Sequence, residues 1–371
     1  MDVTLKKSLP TFKEKLFAEI TEVPVILQQS HFPGLDGLRG ISIIIVISSH
    51  LAMYTPITDY INGGIGVEIF FVISGFLITS LLLKEKIKHG VVSFKNFYIR
   101  RFLRIVPVAY LFLIVIIILN NRLKLGVPVK SFFASFLYVR NIPFKNTYDW
   151  YTAHFWSLSV EEQFYIAFPF FIVSRTNKFI IVAVLIILTL PLLNILGFNN
   201  VGVFYSNHII HVFTFILIHL LGKGTAAILA GSLYSILLFK KVIVIEKLRS
   251  NYYLSFILLI IGFLVFMRIS FLYNDYLAVI LFPVITGYII LLNLKERNLL
   301  RNILENPILT KIGVLSYSLY IWQQFFIQKW YFFKYSDTII VRVLMIFFVS
   351  SISYYFFEKF FLRYKAKFKN S

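Results

Sequence analysis

The sequence predicts an all-α polytopic membrane protein with about ten transmembrane helices and with both termini in the cytoplasm. Of its 371 residues, 58% are hydrophobic and only 15% are charged, whereas a soluble domain carries roughly 25% charged residues. Many apolar runs approach the ~20 residues that cross a hydrocarbon core, and one soluble core cannot bury so many. Lys and Arg are concentrated in alternate loops, as is typical of cytoplasmic loops.

Ten apolar segments are predicted to span the membrane. The sixth carries Gly222, Lys223 and Gly224 in its middle, so a single broken helix and two short helices both remain open for it. The predicted spans are residues 38–54, 65–84, 102–119, 160–174, 179–197, 210–239, 252–268, 277–293, 312–330 and 338–357.

The distribution of basic residues predicts the orientation of these spans. The predicted outer loops Thr55–Gly63 and Gly197–Asn207 contain no Lys or Arg, whereas the predicted inner loops are rich in both. The segment 210–239 is expected to cross once, because two crossings would place the basic cluster Lys240–Arg249 outside. The long outer loop Asn120–Ser159 carries five basic residues, and long loops follow the charge rule less strictly.

The predicted organisation is one membrane domain with short cytoplasmic ends. Residues 1–31 form the cytoplasmic N-terminal segment, residues 32–363 the membrane domain, and residues 364–371 a basic cytoplasmic tail. The net charge is +20. The basic residues lie between apolar runs and form no basic face, so we expect a lipid bilayer and no nucleic acid as partner. The sequence has no Cys, which excludes disulfides and Cys-based metal sites. His208 and His211 lack a third ligand at a supporting spacing, so no metal is expected.

Arg39 and His50 are the first pair of candidate functional residues. They are eleven residues apart on one predicted helix, which is close to three turns and about 16 Å along the axis. Both therefore lie on nearly the same face, with Arg39 toward the cytoplasm and His50 in the outer half. Arg39 alone is equally consistent with an interfacial side chain that snorkels. As a pair on one face they indicate a functional site, because ionisable groups inside a membrane usually have a function.

Two carboxylates are candidates for acid–base chemistry beside His50. Glu68 enters the second span from outside, and Glu161, which is followed by Glu162, stands at the outer entrance of the fourth. A carboxylate near an imidazole fixes its tautomer and raises its basicity. The structural alternatives are a favourable interaction of Glu68 with the helix dipole and a capping box between Ser159 and Glu162.

A cluster of arginines and several aromatic residues complete the candidate set. Arg100, Arg101 and Arg104 stand at the cytoplasmic start of the third span, where they are suited to clamp phosphates. Ordinary anchoring by positive charge is the alternative interpretation of these arginines. Aromatic rings stack on sugars and their polar atoms form hydrogen bonds, which makes four of them candidates for the acceptor side: Trp156, Tyr165, Tyr317 and Trp322. Helix packing explains them equally well.

These motifs together resemble the acyltransferase-3 family of bacterial membrane O-acyltransferases. The resemblance rests on Leu35–Gly40 with the spacing of Arg39 and His50, on Gly66–Phe76, on Arg100–Arg104, and on Trp156–Glu161, and it runs from about Phe32 to about Arg363. It implies that His50 is the catalytic histidine and that Arg39, Arg100, Arg101 and Arg104 form the acyl-donor side. Acyl-CoA, with acetyl-CoA as the default, is then a co-substrate, no bound cofactor is expected, and the location is the bacterial cell membrane.

The sequence departs from the family pattern at several positions. Glu68 stands where the family often has Asp, and Trp322-Gln323 where it often has Trp-His, which weakens any role in proton transfer at the second of these. The sixth span has no clear counterpart of an Arg often found there. Some members carry a fused extracytoplasmic esterase-like domain. The sequence stops at Ser371, so we expect the membrane domain or a separate protein to complete the transfer.

The resemblance and the geometry predict one function, and two other classes remain as alternatives. The predicted function is O-acyl transfer from cytoplasmic acyl-CoA to a hydroxyl of a cell-surface carbohydrate or its lipid-linked precursor. A transporter or flippase of glycan precursors would explain the spans and the interior charges equally well. A glycan polymerase would use long outer loops, of which only Asn120–Ser159 is present. Only the acyltransferase requires acyl-CoA.

Overall fold

The computed structural model describes residues 11–29, 31–53, 55, 62–145, 147–198, 201–222, 224–266, 275–328 and 338–368. These residues are almost all helical and include no β-strand, so the predicted all-α class is confirmed. The outermost parts of both predicted cytoplasmic ends, most of the predicted outer loop Thr55–Gly63, the last residues of three predicted spans (Tyr54, 267–268 and 329–330) and Lys223 lie outside the described residues.

The described part of the chain contains a succession of α-helices. They are α1 (Phe12–Phe17), α2 (Pro33–Ala52), α3 (Gly64–His89), α4 (Phe94–Leu123), α5 (Val129–Phe136), α6 (Phe155–Ala167), α7 (Pro169–Ser174), α8 (Thr176–Phe198), α9 (Val203–Ser206), α10 (His208–Leu221), α11 (Thr225–Phe239), α12 (Leu254–Phe266), α13 (Asp275–Lys295), α14 (Leu299–Leu304), α15 (Pro307–Ile327), α16 (Ile339–Ile352) and α17 (Lys359–Lys365), with a π-helical turn at Ser353–Glu358 between the last two.

Six helical segments in the described part of the chain are long and apolar enough to cross a membrane, which makes this an integral membrane protein. They are α2, α3, α4, Thr176–Leu193 of α8, Ala278–Lys295 of α13, and the segment Ile339–Phe368. Helices α10 and α11 bend by 55° at their junction and make a seventh crossing if they form one span. The other three predicted spans fall on α6–α7, α12 and α15, so the count of ten stays a prediction.

Small residues let the central helices approach one another closely. A Cβ atom on Gly75 of α3 would lie 1.9 Å from the carbonyl oxygen of Ile228 in α11. One on Gly231 of α11 would lie 2.0 Å from the carbonyl oxygen of Val72. Within a membrane, such backbone contact between helices replaces the hydrophobic driving force that acts in water. Because Gly75 and Gly231 carry no side chains, the backbones of α3 and α11 pack in direct contact.

Helices α2 and α15 form a second close pair, and they run in the same direction. A Cβ atom on Gly313 would lie 1.7 Å from the carbonyl oxygen of Asp36, and one on Gly40 would lie 3.3 Å from the backbone nitrogen of Gly313. Further along both helices, His50 meets Gln323. Positions that advance together along two helices show that the helices are parallel. This arrangement places the candidate residues of α2 beside the polar residues of α15.

Helices α3 and α6 are also parallel to each other and run opposite to α4. Phe71 packs on Trp156, and Ser74 donates a hydrogen bond to Glu161, so α3 and α6 advance together. Arg101 lies over Tyr165 whereas Phe112 packs on Phe155, so α4 and α6 run in opposite directions. These directions are those expected if α2, α3, α4 and α6 cross the membrane in turn.

The start of α6 differs from the capping box considered above. The helix begins at Phe155, so Ser159 lies inside its second turn. The hydroxyl of Ser159 donates to the carbonyl of Phe155 at 2.8 Å and accepts from the backbone amide of Arg140 at 3.0 Å. The capping interpretation of Ser159 and Glu162 is therefore wrong, and it no longer offers a structural explanation for the adjacent carboxylates.

Replacing Gly75 with Ala is expected to destabilise the helix bundle. The new methyl group would overlap the backbone of α11, and overpacking of this kind costs about 1–3 kcal/mol. Gly34→Ala is the matched control, because a Cβ atom there meets nothing within 4 Å. The measurement is thermal unfolding of both purified variants in detergent. Equal melting temperatures for the two would contradict the close packing of α3 on α11.

Candidate functional site

A cavity of about 570 Å³ lies among helices α2, α3, α4, α6 and α15. Its mouth is bordered by the exposed residues Gln28, Gln29 and His31 and by Lys365 of α17. These residues belong to the segments that the sequence assigns to the cytoplasmic side. Cationic side chains outnumber carboxylates in the lining, which has Arg39, Lys84, Arg101, Arg104 and Lys365 against Asp36 and Glu161. The cavity is therefore suited to an anionic ligand.

Arg39 is aligned in this cavity by the first turns of its own helix. Asp36, three residues earlier, places a carboxylate oxygen 3.8 Å from the guanidinium. The second oxygen of Asp36 lies 2.6 Å from Nε2 of His31 at the cavity mouth. Because a 3.8 Å contact uses little of the hydrogen-bonding capacity of Arg39, most of its donors are available to a ligand.

Arg101 and Arg104 lie three residues apart on α4 and both line the cavity. The Arg101 guanidinium lies 5.1 Å from the centre of the Tyr165 ring, a cation–π contact. Within the described residues, the guanidinium group of neither arginine makes a hydrogen bond or an ion pair. Two guanidiniums on one helix face with unused donors match the geometry of phosphate groups.

Arg100 is separated from the other three arginines. It forms an ion pair of 2.9 Å with Glu85 of α3 and donates to the carbonyl of Phe368 at 2.8 Å. Glu85 also accepts the backbone amide of Ser93 at 2.8 Å. Arg100 is not part of the cavity lining. Its contacts hold the α3–α4 connection and the C-terminal segment, whereas the sequence pattern grouped it with the acyl-donor residues.

Glu161 and two of the tyrosines predicted for the acceptor side line the same cavity as the arginines. Ser74 donates to Glu161 at 2.5 Å, and the buried hydroxyl of Tyr165 donates to the same carboxylate oxygen. Tyr317 of α15 donates to the carbonyl of Ile105 in α4 at 2.5 Å. These hydrogen bonds hold Glu161, Tyr165 and Tyr317 in the wall of the cationic cavity.

His50 lies further along α2, in contact with α15 and with the loop before α6. Its Nδ1 is 2.9 Å from Oε1 of Gln323, and its ring meets the edge of Trp150 at 5.6 Å between centroids. Trp150 and Gln324 bond reciprocally, since each side chain donates to the carbonyl of the other at 2.7 and 2.8 Å. Sequence reasoning did not assign Gln323 to the site, although a buried glutamine pair in an apolar span was a usable signal.

Helix α15 connects the cavity to His50 within one turn. The Tyr320 side chain lines the cavity, and its hydroxyl lies 2.6 Å from that of Ser157 and donates to the carbonyl of His154 at 3.1 Å. Gln323 follows three residues later, which is about 4.5 Å along the helix axis. The inner end of the cavity therefore stops one helical turn short of the residue that contacts His50.

The remaining candidate residues are buried between these two places or near them. One carboxylate oxygen of Glu68 and Nε1 of Trp322 are buried and find no partner among the described residues. The Trp322 ring packs on Phe112, and Trp156 packs on Phe71. Within the described part of the chain, no hydrogen bond joins His50 to Glu68 or Glu161, and no group of three His, Asp or Glu side chains is arranged for a metal ion.

Comparison of the sequence with known protein families assigns the chain to one of them. The acyltransferase-3 family model, described as an acyltransferase domain, matches residues 32–358. The chain belongs to the acyltransferase-3 family. The matched range runs from the start of α2 to the π-helical turn and includes Arg39, Arg101, Arg104, His50 and Gln323. The resemblance inferred from the motifs is thereby confirmed.

Several curated bacterial proteins are similar to this chain. One from Staphylococcus aureus (strain COL), named "Putative O-acetyltransferase", is 32% identical over 333 residues, which cover 79% of this chain and 50% of the relative. The peptidoglycan O-acetyltransferase OatA of Listeria monocytogenes is 37% identical over 158 residues, 39% of this chain and 24% of the relative. The chain spans about half the length of the staphylococcal relative. No solved structure matches the chain.

Arg100→Ala is expected to lower the thermal stability of the protein more than Arg104→Ala does. Removing Arg100 leaves the buried carboxylate of Glu85 unpaired, and breaking a buried ion pair costs about 3 kcal/mol. Arg104 has no such partner among the described residues, so its removal breaks no ion pair there. Thermal unfolding in detergent measures the difference. If the two variants lost equal stability, the separate structural role of Arg100 would be refuted.

Proposed function

We propose that this protein transfers an acyl group, acetyl by default, from acyl-CoA to a hydroxyl group of a cell-surface carbohydrate. The observation that carries the proposal is the cationic cavity with a histidine beyond its inner end. Arg39 and His50 stand on one helix about 16 Å apart along its axis, and α15 joins their two regions by Tyr320 and Gln323. An extended molecule with a phosphate end and a reactive end fits such an arrangement.

Arg101 and Arg104 are the proposed phosphate ligands of acyl-CoA, together with Arg39, which lines the same cavity. Their unused donors give charge-assisted hydrogen bonds, which are shorter and stronger than neutral ones. The Tyr165 ring contacts the Arg101 guanidinium, and the Tyr165 hydroxyl donates a hydrogen bond to Glu161. Tyr165 and Glu161 are therefore proposed to stabilise Arg101 in the cavity. The mouth bordered by Gln28, Gln29 and His31 is the proposed entrance, so the thioester end of the donor points toward Tyr320 and His50.

His50 is the proposed catalytic residue. As a general base it removes the proton from the acceptor hydroxyl while that oxygen attacks the thioester carbonyl. The carbon–sulfur bond then breaks, and the CoA sulfur leaves as a thiol after it takes the proton from the imidazolium. In the alternative route the imidazole itself attacks and carries the acyl group to the acceptor. Both routes need an unprotonated ring nitrogen, which is directed at the acceptor hydroxyl in the first route and at the thioester carbon in the second.

The acceptor is proposed to arrive from the outer side of a bacterial cell membrane. The relative directions of the helices around the site fit alternating crossings, and the Lys and Arg residues of the predicted inner loops support a cytoplasmic location of both termini. Two relatives are named as peptidoglycan O-acetyltransferases, one of them with the qualifier "Putative". Peptidoglycan and its lipid-linked precursor are therefore the first acceptors to test, and Trp156, Trp322 and Glu68 are proposed to border the acceptor path.

His50→Ala is expected to abolish acyl transfer and to leave acyl-CoA binding intact, because His50 lies outside the cavity that holds the phosphates. Transfer is measured with radiolabelled acetyl-CoA and peptidoglycan fragments, using protein in nanodiscs. Binding of CoA to the same preparation is measured by calorimetry. Substantial transfer by the variant would refute the role of His50, and lost binding would refute its position beyond the donor site.

Arg104→Ala is expected to raise the KM for acyl-CoA about tenfold or more, because one charge-assisted hydrogen bond to phosphate is worth about 1.5–3 kcal/mol. Arg101→Ala should behave alike. Arg122→Ala is the matched control, since Arg122 is exposed near the other end of α4 and does not line the cavity. Steady-state kinetics compares the three variants. An unchanged KM in both cavity variants would remove the arginines from the donor site.

A further inference from the structure

We propose that Gln323 is a positioning residue that holds the imidazole of His50 with its proton on Nδ1 and with Nε2 free for the reaction. This inference rests on the proposed catalytic role of His50. Nδ1 lies 2.9 Å from Oε1 of Gln323. A carbonyl oxygen only accepts hydrogen bonds, so the hydrogen must be on Nδ1. The tautomer of a histidine is set by the hydrogen bond that its other nitrogen makes.

The neighbours of Gln323 determine which way its amide group faces. The side chain is fully buried, and its Nε2 donates to Oε1 of Gln324 at 3.4 Å. Gln324 is itself held by its two bonds with Trp150. If the amide of Gln323 were reversed, its oxygen would face the oxygen of Gln324 with no hydrogen between them. The chain from Trp150 through Gln324 to Gln323 therefore directs a carbonyl oxygen at His50.

Trp150 orients His50 in two ways, directly through its ring and indirectly through Gln324. Its ring packs edge-on against the imidazole, and its indole nitrogen and backbone carbonyl both bond to Gln324. The loop before α6 and the outer half of α15 are thus joined at the histidine. Because the ring is held by both a hydrogen bond and an aromatic contact, its orientation relative to α15 is fixed before any substrate binds.

A neutral amide suits this position better than a carboxylate does for a base that works at neutral pH. A carboxylate within ~4–6 Å favours the protonated form of a histidine and raises its pKa by about 1–3 units. An amide carbonyl orients the ring without adding a negative charge. Gln323 therefore fixes the geometry of His50 and leaves it unprotonated and able to accept a proton from the acceptor hydroxyl.

The test uses two substitutions of Gln323 and two readouts. Gln323→Leu removes the acceptor and is expected to lower kcat about 10- to 100-fold, as loss of an orienting partner does, with KM for acetyl-CoA unchanged. Gln323→Glu keeps an acceptor and is expected to move the acid limb of the kcat/KM profile up by about 1–3 pH units. It is therefore less active at neutral pH and recovers at alkaline pH.

The second readout is the tautomer of His50 from ¹⁵N NMR of histidine-labelled protein in nanodiscs, assigned by comparison with His50→Gln. The Nδ1–H form should dominate in the wild-type protein and in Gln323→Glu above its raised acid limb, and should not dominate in Gln323→Leu. Ser318→Ala is the matched control, because it removes another buried hydrogen bond of α15, to Glu358. It should change neither the pH profile nor the tautomer.

The two readouts separate failure of this inference from failure of the proposed function. A wild-type tautomer in Gln323→Leu, or an unshifted pH profile in Gln323→Glu, overturns the positioning role. If the wild-type protein shows no acyl transfer with any short acyl-CoA, the proposed function fails. The NMR result alone then decides whether Gln323 sets the tautomer of His50.

Discussion

The parallel contact between α2 and α15 is the interaction on which the rest of the site depends. Gly40 and Gly313 bring the two backbones together, and no larger side chain would allow this distance. The contact sets the register between the helices, so Arg39 lines the same cavity as Tyr317 and Tyr320, and His50 lies beside Gln323. A shift of α15 by one turn would move its polar residues about 5.4 Å along the axis and separate them from His50.

The cationic cavity has an energetic cost that explains where it is placed. Charged side chains inside a membrane are expensive unless they are paired, solvated or directed at a ligand. Arg101 meets this requirement in part through the Tyr165 ring and the nearby Glu161 carboxylate, and the residues that border the cavity mouth, Gln28, Gln29 and His31, are exposed. Arg100, which has no place in the cavity, is paired instead with Glu85. The difference between these neighbouring arginines separates a proposed binding group from a structural one.

Much of the fold was predictable because hydrophobic runs and loop charges report directly on membrane crossing. The spacing of Arg39 and His50 also sufficed to place both on one helix, since helical periodicity depends only on sequence separation. The start of α6 was not predictable in this way. The helix begins at Phe155, and the Ser159 hydroxyl accepts a hydrogen bond from the backbone amide of Arg140. Arg140 lies in the preceding loop, and no local sequence pattern relates it to Ser159.

The roles within the site depended on contacts that sequence spacing does not contain. Arg100 and Arg101 are neighbours in the chain but point about 100° apart on a helix, and only Glu85 shows which one faces away from the cavity. The resemblance drew attention from Gln323 because a glutamine transfers no proton. In the structure it has a different use, as the hydrogen-bond acceptor of His50.

The central claim is that a donor bound in the arginine cavity delivers its acyl group across the bundle to an outer acceptor. Proteoliposomes with peptidoglycan precursor in one compartment and radiolabelled acetyl-CoA in the other test it most directly. The account predicts covalent label on the acceptor only when acetyl-CoA is on the side of the His31 and Lys365 mouth. Covalent label regardless of the side, or movement of the precursor across the bilayer without acylation, would contradict it.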